Sequence, residues 1–208
     1  MNTQSGRSMV EMLGVLAIIG VLSVGAIAGY SKAMFKYKLN KQAESFNSFV
    51  NMAIQMKPDL ERSFQETAFT PYFFYKAKLI PGGMTYKDGN IYDVFNNENY
   101  IMYAKNRQWN SIDYVIITTL HRSGKKITTR DREICRNMVT VVKENAGNIA
   151  RLELRSSTDS SYNETNLIGD NYQGVSTGKY LRNATISDID DFCDSCDSEL
   201  GCRFIIYF

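Results

Sequence analysis

A chain of 208 residues can bury one sizeable core, so one folded domain with an appendage is expected and two full domains would be cramped. Hydrophobic residues at 44% and charged residues at 22% exclude a disordered or collagen-like chain. A net charge of +2 leaves no basic excess for a nucleic-acid partner, and the single histidine, His121, excludes multi-histidine metal sites and leaves any catalytic triad one candidate base.

Near the amino end, Met12 to Tyr30 (MLGVLAIIGVLSVGAIAGY) runs for nineteen residues without a formal charge. As a helix it spans roughly 28 Å, close to the hydrocarbon thickness of a bilayer, and it predicts a single membrane span. A cleaved secretory signal is the competing reading, because Ala26-Ile27-Ala28 ahead of Gly29 is a small-residue site of the right kind. Against it, the basic region before the run holds only Arg7, and Glu11 stands inside the apolar approach. The helical pattern then continues through Phe35, Leu39, Ala43, Phe46, Val50 and Ile54, an amphipathic stripe. Pro58 is the first proline after Ser8 and is expected to end the helix, giving about 50 residues, or about 75 Å. A small domain cannot cover such a helix, so its first half is expected to be buried by lipid or by other copies of the chain.

The residues before the span read Gly6-Arg7-Ser8-Met9-Val10-Glu11-Met12-Leu13: a polar leader ending in glycine, then an apolar helix with one carboxylate five residues on. Here the chain resembles the type IV pilins and the pseudopilins. The resemblance implies cleavage by a prepilin peptidase after Gly6, N-methylation of Arg7, and retention of the helix in the mature subunit. It also implies that Glu11 serves assembly; a carboxylate at that depth costs about 2.5–3.5 kcal/mol on insertion scales, and the cationic amino terminus of a neighbouring subunit is a natural partner. Arg7 stands where the family usually has a large apolar residue, and Ala28 where many pilins have a proline. Gly25 and Gly29 form a Gly-x-x-x-Gly face suited to close helix packing. Lys32, Lys36, Lys38 and Lys41 follow the span, a bias that a positive-inside count assigns to the cytoplasm; the cysteines argue for the opposite side, and the head is expected in the periplasm.

The expected organisation is a leader at 1–6, a transmembrane and assembly half of the helix at 7–30, an amphipathic half at 31–58 and a globular head at 59–208. In the head, a helical stretch over Pro71 to Leu79 leads to the breaker Pro81-Gly82-Gly83. Strands are predicted at Met84 to Tyr86 and Ile91 to Phe95 around an Asp88-Gly89 turn, then at Tyr100 to Ala104 and Tyr114 to Thr119. Thr129 to Asn145 reads as a helix, followed by strands at Ala150 to Leu154 and Phe204 to Tyr207. Ser156 to Gly178, rich in Ser, Thr, Asn and Gly, is expected as a surface loop. The fold class is therefore α+β: a long N-terminal α-helix, membrane-spanning in its first half, packed against an antiparallel β-sheet head. The order Leu79-Ile80-Pro81, Gly83-Met84, an aromatic strand pair and Cys135 early in a helix also resembles the type IVb pilins and minor pilins.

Cys135, Cys193, Cys196 and Cys202 form an even set outside the membrane segment and suit disulfides in an oxidising compartment. Of three pairings, Cys135 with Cys193 and Cys196 with Cys202 is preferred, since a long bridge and a local one would pin the carboxyl-terminal segment to the core. A four-thiolate zinc site and a Cys193-x-x-Cys196 redox pair are the alternatives. A His121–Cys135 hydrolase pair lacks any orienting motif. The acidic run Asp188, Asp190, Asp191, Asp194, Asp197 and Glu199 lacks calcium-loop spacing and reads as a solvated face, which could meet the basic stretch from Lys32 to Arg62 on a neighbouring subunit. No enzyme activity, cofactor or metal is expected, nor nucleic acid. The resemblance implies as partners other pilin subunits in a homo- or hetero-oligomer, the prepilin peptidase and an inner-membrane assembly platform. It places the chain in the bacterial inner membrane before assembly and in an extracellular pilus or periplasmic pseudopilus after it. A membrane-anchored or secreted periplasmic enzyme or binding domain remains the alternative.

Overall fold

A computed structural model describes residues 9–63, 68–69, 71–106, 111–122, 127–157, 162–174, 178–196 and 201–208. Two compact units divide at Lys38 and Leu39, inside one continuous helix, α1, which runs Met9–Ser63. Pro58 lies within α1 and does not end it. Proline removes one ladder bond, but Leu60 beyond it is buried in the core and holds the last turn in place.

In the second unit, the face of α1 that packs is centred on Gln42, Phe46, Phe49, Ala53 and Leu60, with Ser45 and Val50 beside them, all buried. Leu39, Ala43 and Ile54 flank this stripe and are only partly buried. The strands are β1 (Ala68–Phe69), β2 (Thr85–Lys87), β3 (Asn90–Tyr92), β4 (Glu98–Asn106), β5 (Ser111–Arg122), β6 (Arg151–Ser157), β7 (Tyr162–Ile168), β8 (Lys179–Tyr180) and β9 (Gly201–Tyr207). They form one sheet in the order β2-β3-β4-β5-β9-β6-β7-β8, with β1 added to β4. The described pairs are antiparallel except β7 with β8. Among the described residues, the α-helices of this unit besides α1 are α2 (Pro71–Lys76), α3 (Thr129–Glu144) and α4 (Ile186–Asp194).

Alternation along the strands sends Ile101, Tyr114, Ile116, Leu152, Leu154, Phe204 and Ile206 into the core that α1 and α3 share. Phe204 of β9 meets Phe46 of α1 edge-on at 6.2 Å and Phe192 of α4 at 6.3 Å, so one ring joins sheet and both helices. The Tyr114 hydroxyl donates to the Ala53 carbonyl of α1 at 2.9 Å. Val115, Ile117 and Ile205 form a smaller, separate cluster with Tyr100, Met102 and Tyr207. In register with Ile205 sits Glu153, fully buried, with Arg151 at 3.2 Å and Arg155 at 2.6 Å. Arg155 also reaches Glu164 at 2.7 Å. Those arginines supply the compensation a buried carboxylate requires.

Three further sequence expectations are corrected. Ser156 to Gly178 is not simply a loop, because Tyr162–Ile168 pairs along the whole of β6. Its polar residues suit a strand whose inward positions alone, such as Leu167, need be apolar. The strand expected over Ile91 to Phe95 stops at Tyr92, where Asp93 accepts the Phe95 and Asn97 amides and curls the chain into a turn, with Asn96 at φ 64°. The helix expected from Pro71 to Leu79 ends at Lys76.

Candidate assembly segment and the head behind it

The first unit is helical from Met9 onward. Every residue from Met9 to Tyr30 is exposed, including Leu13, Leu16, Ile18, Ile19, Leu22 and Ile27. Water does not tolerate so continuous an apolar surface; lipid or a matching apolar surface does. By length and composition the helix can cross a membrane. Glu11 lies in its first turn, where the positive end of the helix dipole favours a carboxylate. Gly14, Gly25 and Gly29 share one face, since eleven residues make close to three turns, and a Cβ built at any of the three meets nothing within 4 Å. That face is open for close approach by another helix. Gly6 and Arg7 lie outside the described residues.

In the head, disulfides join Cys135 to Cys193 and Cys196 to Cys202, over sequence separations of 58 and 6, and no described cysteine is free. The long bridge ties α3 to α4. Beside it Arg132 meets Asp194 at 2.8 Å and Arg136 meets Asp190 at 2.5 Å. Asp188 bonds the Thr185 amide and hydroxyl in a capping box at the start of α4, and Lys179 also reaches it. Asp188, Asp190 and Asp194 thus have partners within their own head, while the Asp191 side chain stays 74% exposed with Lys179 at 4.0 Å. Asp197 and Glu199 lie outside the described residues, as does the side chain of His121. Among the described residues no group of three His, Cys, Asp or Glu is placed to hold a metal ion.

Lys179 and the Thr185 cap hold the Asp188 carboxyl well below the usual carboxylate range. Its contribution to stability is therefore present above the unfolded carboxylate value of about 4 and is lost as pH falls below that. Urea midpoints measured from neutral pH down to about pH 2 are expected to fall less steeply for Asp188→Asn than for the unaltered chain. Parallel curves would mean that the cap carries none of the acid sensitivity.

A buried polar cluster locks α1 to the rest of the head, and it went unnoticed in the sequence. Asp93 accepts from Gln42 Nε2 at 2.7 Å, from Asn97 Nδ2 at 3.0 Å and from the amides of Phe95 and Asn97 at 2.9 and 2.8 Å. On its other side, Gln42 Oε1 accepts from Asn137 of α3 at 3.2 Å, and Asn137 also donates to the Leu39 carbonyl at 2.9 Å. Asn99 donates to the Asn97 carbonyl and accepts from Thr118, carrying the chain of bonds into β5. Burial pushes the Asp93 carboxyl above its usual range while the hydrogen bonds pull the other way. Its sign is opposite to that of Asp188: the stability linked to Asp93 is full at low pH and declines as pH rises through its folded value. Gln42→Ala leaves the carboxylate and Asn137 each short of a partner and is expected to destabilise by about 1–3 kcal/mol, read from urea unfolding. A loss under a few tenths of a kcal/mol would show that water replaces the amide. A glutamine on the packed face of an amphipathic helix, with Asp-x-x-x-Asn after a hairpin, was the available signal.

These features define the class of fold: a long, apolar amino-terminal helix whose second half packs on an antiparallel-rich sheet, an α+β arrangement that is pilin-like. Comparison with protein-family models, with curated proteins and with solved structures found no match.

Proposed function

We propose that the chain is a structural subunit, a pilin or minor pilin, of a type IV pilus or a related secretion pseudopilus. The observation that carries this reading is the continuity of α1: an uncharged membrane-length stretch and a core-packed amphipathic stretch are one helix, Met9–Ser63. An ordinary anchor needs no helical continuation into the fold, whereas a polymer built through its helices does. Glu11 in the first turn and the open glycine face at Gly25 and Gly29 give that helix a charge and a packing surface for its neighbours. On this reading, a prepilin peptidase cuts after Gly6, Arg7 becomes the methylated amino terminus, and the subunit waits in the inner membrane with its disulfide-bonded head in the periplasm. An assembly platform then adds it to a filament of like or related subunits, and the protein performs no chemistry of its own.

The mature amino-terminal residue, determined by mass spectrometry on protein from its native envelope, tests this. A methylated Arg7 supports the proposal. A chain still beginning at Met1 indicates a permanent anchor, and one beginning at Gly29 a secreted protein; either result overturns it.

A further inference from the structure

We propose that Lys32, Lys36 and Lys38, set around α1 just beyond Tyr30 and the end of its uncharged run, bind the headgroups of anionic phospholipids. The inference rests on the membrane-spanning half of the proposed function. From Met12 to Ala43 the chain carries four lysines and no aspartate or glutamate. Lys41 reaches Glu44 at 3.3 Å, but no carboxylate stands within one helical turn of Lys32, Lys36 or Lys38. All three lysines are exposed, and so is Tyr30, at 67%.

Height along the helix selects the headgroup layer. With Met12 to Tyr30 filling the hydrocarbon over roughly 28 Å, Lys32, Lys36 and Lys38 stand about 3, 9 and 12 Å beyond its edge. The headgroup region is about 5–8 Å deep on each side, and lysine stems reach back into it while keeping their charge in a polar layer. Tyr30 falls at the boundary itself, where a ring with an apolar body and a polar tip is favoured.

Direction around the helix selects the partner. At about 100° per residue, Lys32 and Lys36 project about 40° apart, while Lys38 projects about 160° from Lys36, on the far side of the helix. A single protein partner touches one face of a helix; a headgroup layer surrounds it and meets all three ammonium groups. Three charges of one sign, with no acid among them, favour a lipid that carries net negative charge over a zwitterionic one. The acidic run of the head is a poorer match, since its Asp188, Asp190 and Asp194 already hold partners there. The headgroup contact would fix the depth of α1 in the bilayer, and a subunit leaving lipid for a filament would have to break it.

The test uses the full chain reconstituted in mixed phosphatidylcholine and phosphatidylglycerol bilayers. A trace of either lipid is spin-labelled, and electron paramagnetic resonance reads the fraction held at the protein surface. At low salt phosphatidylglycerol is expected to be favoured about fivefold, the increment of one lysine meeting one headgroup. The preference is expected to fade in about 1 M sodium chloride, where the Debye length is about 3 Å. Lys32→Gln, Lys36→Gln and Lys38→Gln together are expected to abolish it and to keep the helix, because glutamine matches lysine in helix propensity. The same exchange at Lys76, Lys78 and Lys87 of the head is expected to leave it intact. Equal retention of both lipids overturns the proposal, as does a preference that survives the α1 exchange or is lost as fully in the head variant. A preference abolished by inorganic phosphate, but not by chloride of equal ionic strength, would assign the lysines to a free anion and overturn it equally. Alkaline extraction separates two failures: a chain retained in the bilayer without lipid preference overturns this inference alone, and a chain extracted from it removes the membrane span and the proposed subunit as well.

Discussion

Replacing Cys135 and Cys193 together by alanine is expected to lower the unfolding free energy by about 4 kcal/mol, against about 2 kcal/mol for the matching change at Cys196 and Cys202. The difference comes from the unfolded chain, where a bridge over a separation of 58 removes far more conformational freedom than one over 6. The folded state points the same way. Cys135 and Cys193 are both buried where α3 faces α4, and α4 brings Phe192 against Phe204 of β9. The ion pairs from Arg132 to Asp194 and from Arg136 to Asp190 would survive the change, but partly exposed pairs contribute about 0–1 kcal/mol each and cannot offset the loss. Urea unfolding in detergent, followed through the near-ultraviolet tyrosine signal, measures both variants. Equal losses would mean that the two bridges act by local packing instead of by constraining the chain. With both pairs removed, the combined loss is expected to depart from the sum, because the short loop lies beside one end of the long one.

Much of this architecture was legible in the sequence where a single physical signal dominated. The uncharged run and the stripe behind it predicted α1, the Asp88-Gly89 turn predicted the first hairpin, and aromatic and β-branched residues predicted the middle of β5. Legibility failed where tertiary contacts decide. Pro58 is tolerated because Leu60 is buried beyond it, and β7 forms because β6 offers a paired edge, not because its own residues prefer a strand. Helix α4 was read as an acidic surface; its capping box at Thr185 and Asp188 was visible, but the arginines of α3 that neutralise it lie more than fifty residues away in the chain. The Gln42–Asp93 bond likewise joins residues 51 apart; local patterns mark Gln42 and the Asp93 turn separately but not that they meet. For the assembly segment, the sequence specified the helix and its exposed glycines, while Gly6 and Arg7 lie outside the described residues.

If the helix assembles as proposed, Glu11→Ala is expected to enter the membrane at least as well as the unaltered chain and to be lost from filaments. The first half follows from removing a group that costs about 2.5–3.5 kcal/mol in the hydrocarbon. The second follows from what a neighbour would contribute. A cationic amino terminus brought against this carboxylate in a low-dielectric bundle forms a pair whose breakage costs about 3–5 kcal/mol, which lowers the equilibrium for adding a subunit by about a hundredfold or more. The position suits the role: Glu11 is in the first turn of α1, ahead of the uncharged run that begins at Met12, so a neighbour displaced along the axis could bring its own terminus level with it. Resistance to alkaline extraction measures insertion, and the subunit content of the sheared filament fraction measures assembly. Glu11→Gln separates charge from hydrogen bonding, since a glutamine that restores filaments would show that polarity alone suffices. Filaments of Glu11→Ala as abundant as those of the unaltered chain would remove the carboxylate from the contact, and the burden of cohesion would then fall on the apolar surface and the Gly25 and Gly29 face.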